Sequence, residues 1–176
     1  MSHIFRAILP KMHVNHNTSR AIVHGPEELG GLNLPNMYVI QGVDKLKLFL
    51  GHLRIQDRTG QLLHIALGYL QLLSGTGSFT LNLDYEQFRW VETGWLTSLW
   101  EFTSKSMLTF DYPLQWLPSL PWSNDIFIMD HFCNQDCKDN IMGLLSRCRL
   151  YLQVITLSDI TSADGMFKPR KQNWVN

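Results

Sequence analysis

Gly30-Gly31-Leu32-Asn33-Leu34-Pro35-Asn36-Met37-Tyr38 is a paired-glycine turn, then an extended segment closed by proline, then the start of a long amphipathic run. Beyond it, Val39, Val43, Leu46, Leu50 and Leu53 recur at alternating spacings of four and three, which predicts a helix over 35–56 burying one stripe. Leu62, Ala66, Tyr69 and Leu73 repeat that kind of spacing. Leu63, Ile65, Leu67, Leu70 and Leu72 extend the apolar surface almost all round, so this second helix needs neighbours on several sides. With 57–60 as a hinge, the two helices make an antiparallel hairpin.

Upstream, the apolar segment 4–9, ending at Pro10, reads as a short helix or strand. The polar cluster 15–19 reads as a turn, and Arg20-Ala21-Ile22-Val23-His24 as a short β-prone piece closed by Gly25-Pro26. Downstream, Ser74-Gly75-Thr76-Gly77-Ser78 has the composition of a linker with nothing to bury. Thr93 is placed to cap a helix carrying Trp95, Leu96, Leu99, Trp100 and Phe102, and 107–112 reads as a short strand. Pro113, Pro118 and Pro121 keep 114–122 extended. Ser123 or Asn124 is placed to cap a short helix through Phe132. Asp136 is placed to cap a longer one whose Ile141, Leu144, Cys148, Tyr151 and Ile155 form a buried stripe.

The expected fold is therefore mainly α: an irregular helical bundle with a helical hairpin and one or two short β segments. The division is a basic arm, glycine turn and hairpin over 1–73, a linker at 74–78, a second helical part over 79–165 and a tail over 166–176.

Charged residues make up only 17% of the chain against 45% hydrophobic, a balance that calls for apolar surface covered by something else. The net charge is zero, which argues against strong polyanion binding by the whole molecule. Its distribution is uneven: residues 1–58 carry seven Lys/Arg against four Asp/Glu, 59–137 two against eight, and 138–176 six against three. Any nucleic-acid contact therefore falls to the two ends, and the candidates are Arg6, Lys11, Arg20, Arg147, Arg149, Lys168, Arg170 and Lys171. These are too few for more than weak, salt-sensitive binding.

Cys133, Cys137 and Cys148 cannot all pair internally, and no signal peptide precedes them, which points to an intracellular setting, cytoplasm or nucleus, with free thiols. Their spacing, with His131, does not match the close pairs of a zinc site, so no metal and no cofactor are expected. His3, His13, His16 and His24 read as surface residues, and neither GxSxG nor a phosphate-binding glycine loop is present. No apolar run reaches the ~18 to 20 residues that span a bilayer, and no membrane partner is expected.

The Gly-Gly-Leu-x-Leu-Pro-x-x-Tyr motif resembles the segment just downstream of the polymerase core in reverse transcriptases of non-LTR (LINE-type) retrotransposons. So, in the same order, do Ala7-Ile8-Leu9-Pro10-Lys11-Met12, Arg20-Ala21-Ile22-Val23-His24-Gly25-Pro26, Gly51-His52-Leu53-Arg54, Trp95-Leu96-x-Ser98-Leu99-Trp100-Glu101-Phe102 and Arg147-Cys148-Arg149-Leu150-Tyr151-Leu152-Gln153-Val154. The resemblance implies the thumb and the helical segment behind it, which grip template and primer by shape and backbone charge. Such polymerases hold two metals on an adjacent aspartate pair, and this chain has no adjacent Asp pair. The expectation is a non-catalytic fragment of a retroelement polyprotein, with RNA or DNA held weakly or a missing polymerase domain as partner. The alternative is a helical scaffold that binds another protein through aromatic surface at Trp95, Trp100, Trp116 and Trp122.

Overall fold

A computed structural model of the chain describes residues 6–111, 120–133, 135 and 137–166. Among these the architecture is mainly helical: α1 (Arg20–His24), α2 (Met37–Ile55), α3 (Arg58–Ser74), α4 (Trp95–Lys105), α5 (Ile128–Cys133) and α6 (Asp139–Leu152), with short 3₁₀ turns in some of the connections. Phe127 and Thr156 form an isolated antiparallel bridge, and Thr161 also stands at a bridge position. The chain divides into two compact units, Met1–Asp44 and Lys45–Asn176. The sequence suggests a boundary at 74–78, but those residues lie inside the second unit.

The first unit is organised by the glycine motif. Gly30 takes a left-handed backbone (φ 79°) at the end of the 3₁₀ turn Glu27–Leu29. A Cβ on Gly31 would fall inside the carbonyl group of Gly25, so only glycine lets the two backbones approach. The extended segment that follows runs along the C-terminal carbonyls of α1. Leu32 N–H donates to Ile22 O at 2.8 Å, Leu34 N–H to Val23 O at 2.9 Å and Asn33 N–H to Gly25 O at 2.9 Å. His24 Nδ1–H closes the strap on Leu34 O at 2.7 Å. These bonds satisfy carbonyls that a helix end leaves without partners. Residues 20–24, expected as β-prone, are helical for the same reason: Ser19 Oγ accepts from Ala21 N–H at one end and the strap holds the other.

In the second unit, the part of α2 from Lys45 onward and α3 are joined through Gln56 and Asp57. Gln56 is left-handed (φ 55°), and Asp57 caps α3 by accepting Gly60 N–H at 2.7 Å and His52 Nδ1–H at 2.8 Å. Gly60 rests on the His52 carbonyl with no room for a side chain. Phe49, Leu67, Leu70, Phe79, Leu81, Phe88, Val91, Leu99 and Trp100 form the core cluster, with Leu46, Leu53, Leu63 and Leu73 among the residues packed against it. Phe49 takes the inward position that the spacing assigned to Leu50, and Val39 and Leu50 are exposed.

Helix α4 begins after Gly94 rather than Thr93; Gly94 N–H donates to Thr97 Oγ1 one turn on. Trp100 is fully buried, edge-on to Tyr85 (centroids 5.3 Å apart), and its indole N–H donates to Leu83 O at 2.8 Å. After α4, Met107 turns left-handed (φ 53°). Residues 107–111 make no strand because both backbone groups of Phe110 are taken by one side-chain amide. Phe110 N–H donates to Asn82 Oδ1 at 2.7 Å, and Asn82 Nδ2 donates to Phe110 O at 2.8 Å.

The short helix expected from Ser123 or Asn124 starts later, at Ile128, because Phe127 is held in the bridge to Thr156. Helix α6 has Lys138 at its N-cap. Its buried face is the reverse of the expected one: Met142, Ser146 and Arg149 point inward, while Ile141, Leu144, Cys148 and Tyr151 are exposed. The expectations for Asp136, for the proline segment as far as residue 119, and for the tail beyond Met166 lie outside the described residues.

Candidate functional site

Two features of the second unit lie around α3, one buried and one open. The buried feature is the C-terminal end of α3, where the glycine, serine and threonine stretch of linker-like composition is packed and hydrogen bonded. Gln71 Nε2 donates to Thr76 O at 2.9 Å and Ser78 O at 2.8 Å, while its Oε1 accepts from Thr80 N–H at 2.9 Å and Thr80 Oγ1 at 2.7 Å. Ser74 Oγ donates to Gln71 O at 3.0 Å and lies 2.8 Å from Thr80 Oγ1. Gly75, left-handed at φ 66°, returns its N–H to Gln71 O at 2.9 Å.

The remaining free carbonyls of the α3 terminus are met from α6. Ser146 Oγ donates to Leu73 O at 2.7 Å, and Arg149 Nη2 donates to Leu72 O and, at 3.3 Å, to Leu73 O. Arg149 is buried, which lowers the pKa of its guanidinium from the ordinary arginine value, and its Nε and Nη1 have no hydrogen-bond partner among the described residues. It acts as a cap on the negative end of the α3 dipole. Arg149, a candidate phosphate contact by sequence, lies buried against Gly75.

Asp130, from α5, accepts Gly77 N–H at 3.0 Å, and burial raises its carboxyl above the usual aspartate range, outweighing that bond. Of the other candidate cations, Arg6, Lys11, Arg20 and Arg147 are exposed, Arg147 turning its Nε toward Gly143 O at 3.3 Å. Lys168, Arg170 and Lys171 lie outside the described residues.

The open feature is a groove of about 490 Å³ between one side of α3 and residues 91–97. Its lining includes Leu62, Leu63, Ala66, Tyr69, Leu70 and Leu73 on the helix, faced by Val91, Trp95 and Leu96, with Glu92 as the one charged residue among the described residues lining it. The sequence singles out only Trp95 here as a contact residue; the signal for the others is the all-round apolar character of α3. Of the remaining expected aromatic contacts, Trp100 is in the core, Trp122 is half-buried and Trp116 is not among the described residues.

Cys133 and Cys137 line a second hollow of about 400 Å³ with Glu86 and Asp139. Burial pushes the Cys133 thiol up to about 11, with the negative charges of Asp130 and Cys137 adding to it, while Cys148 is exposed on α6. Among the described residues no group of three His, Cys, Asp or Glu stands together to hold a metal, and no helix is long and apolar enough to cross a membrane. No family model, curated protein or solved structure matches the chain.

Proposed function

We propose that this chain is a non-catalytic helical module of a non-LTR retroelement polyprotein, descended from the region behind the polymerase core, and that it holds protein against protein through α3. The observation that carries the contact reading is the groove beside α3, apolar along its helical wall and open to solvent. Descent is carried by the ordered set of resembling segments in the sequence. The Gly25 and Gly31 backbones pack together, His52 ties the hinge, Trp100 sits in the core and Arg149 caps α3. Each of these segments serves the scaffold. The absence of an adjacent aspartate pair removes the ligands of two-metal phosphoryl transfer.

The inherited alternative, a weak grip on RNA or DNA, loses Arg149 to the interior and keeps Arg6, Lys11, Arg20 and Arg147 as exposed cations among the described residues. Fluorescence anisotropy with a structured RNA and a DNA duplex separates the two readings. The expected result at low salt is no binding up to ~10 µM, far from the steep salt slope that several phosphate contacts produce. Micromolar binding that weakens with salt would replace the protein-contact reading with the nucleic-acid one.

A further inference from the structure

On α3, Leu62, Ile65, Tyr69 and Leu72 are 60, 69, 61 and 41% exposed, although the helix buries Leu67, Leu70, Gln71 and Ser74 on its other side. The four exposed residues are spaced three, four and three apart, the spacing of a two-heptad seam. We infer that this seam pairs with the same seam of a second copy of the chain, the two α3 helices running antiparallel about a two-fold axis.

Charge selects this occupant. A two-fold axis sets a surface against its own copy, so a self-pairing seam must carry no like charges. From Thr59 to Ser74, α3 has no Asp, Glu, Lys or Arg, and the positions flanking the seam are Gln61, Ala66, Gly68 and Leu73. A partner chosen by opposite charge would find no carboxylate, ammonium or guanidinium on this stretch of the helix to recognise; besides His64 on the helix, Glu92 stands on the facing wall of the groove. Antiparallel pairing also opposes the two helix dipoles. It closes in one register: Leu62 meets the partner's Leu72, and Ile65 meets the partner's Tyr69, on both sides of the axis at once.

The area fits a reversible dimer. The four side chains present on the order of 400 Å² of apolar surface, at the scale of patches that carry function on a monomer. With Trp95, 40% exposed on the facing wall of the groove, two copies bury roughly 1,000 Å² in total, near the lower bound for a specific interface.

This inference rests on the protein-contact reading of α3, and sedimentation equilibrium tests it on the full chain with the wild type, two variants and their mixture. The wild type is expected to approach twice its 20.4 kDa mass at ~50 µM, the range for a small reversible interface. Ile65→Glu and Tyr69→Lys, each with wild-type helicity by circular dichroism, should sediment as monomers. Mixed one to one, they should recover the dimer, because the carboxylate introduced in one chain then faces the ammonium introduced in the other. Recovery also shows that both variants are folded. A wild type that stays monomeric to ~100 µM, single variants that dimerise as the wild type does, or a mixture that fails to recover would each overturn the pairing. Failure here with flat anisotropy leaves the contact reading standing for a different protein partner. Salt-sensitive nucleic-acid binding overturns that reading itself.

Discussion

Replacing Arg149 tests whether a buried cation at the end of α3 stabilises the second unit or burdens it. Two effects oppose each other. Its Nη2 donates to the carbonyls of Leu72 and Leu73, and bonds to a charged donor contribute about 1.5 to 3 kcal/mol, with the helix dipole adding up to about 1. Against this, Nε and Nη1 are buried without hydrogen-bond partners among the described residues, which costs about 1 to 3 kcal/mol. The bonds and dipole win by a small margin, so Arg149→Met, which keeps most of the volume, should lose about 1 to 2 kcal/mol. Arg149→Ala also leaves a cavity of roughly 80 Å³, worth about 2 kcal/mol more, and should lose about 3 to 4. Urea unfolding followed by tryptophan fluorescence reads both changes, provided the m-value is unchanged.

Gly75 supplies the coupling. A Cβ there would stand 2.6 Å from the guanidinium carbon, and its φ of +66° strains any other residue by about 1 kcal/mol. Gly75→Ala should therefore cost about 3 kcal/mol in the wild-type background. In the Arg149→Met background it should cost about 1 to 2, because the flexible thioether leaves only the strain and a softer contact. An Arg149→Met variant more stable than wild type, or a double variant whose costs add within about 0.5 kcal/mol, would refute the capping argument.

Gly31→Ala should break the strap of the first unit, since its Cβ would enter the Gly25 carbonyl; loss of hydrogen-exchange protection at the Leu32 and Leu34 amides checks this. Asp130 has a folded pKa raised by burial, so the folded state binds the extra proton. Its contribution is full below the unfolded value near 4 and is lost as pH rises through the folded one, and Asp130→Asn should flatten stability across that window in a pH series of urea melts. Cys133, with its thiol pushed up to about 11, should resist iodoacetamide at pH 8, where ~0.1% is thiolate, and exposed Cys148 should be alkylated first by peptide mass mapping.

Local sequence determined the elements whose causes are local. The spacing of Leu46 and Leu53 specified α2, the apolar content of 62–73 specified α3, and Gly30-Gly31 specified the chain reversal, because helical periodicity and a left-handed turn are written within a few residues. Even the open side of α3 was legible as an excess of apolar residues. Tertiary structure alone decided which polar groups went inside. Gln71, Ser74, Thr76 and Thr80 have the look of solvent-facing linker chemistry, and Ser146 and Arg149 that of the wet face of α6. They are buried because the last carbonyls of α3 need donors, and those donors come from more than seventy residues away. Once Arg149 and Ser146 turn inward, α6 must present Leu144 and Tyr151 to solvent, so the apolar stripe expected to mark its buried face marks its exposed one. Burial of a polar side chain is set by the partner it meets, and no spacing along the chain encodes a partner that arrives only when the helices pack.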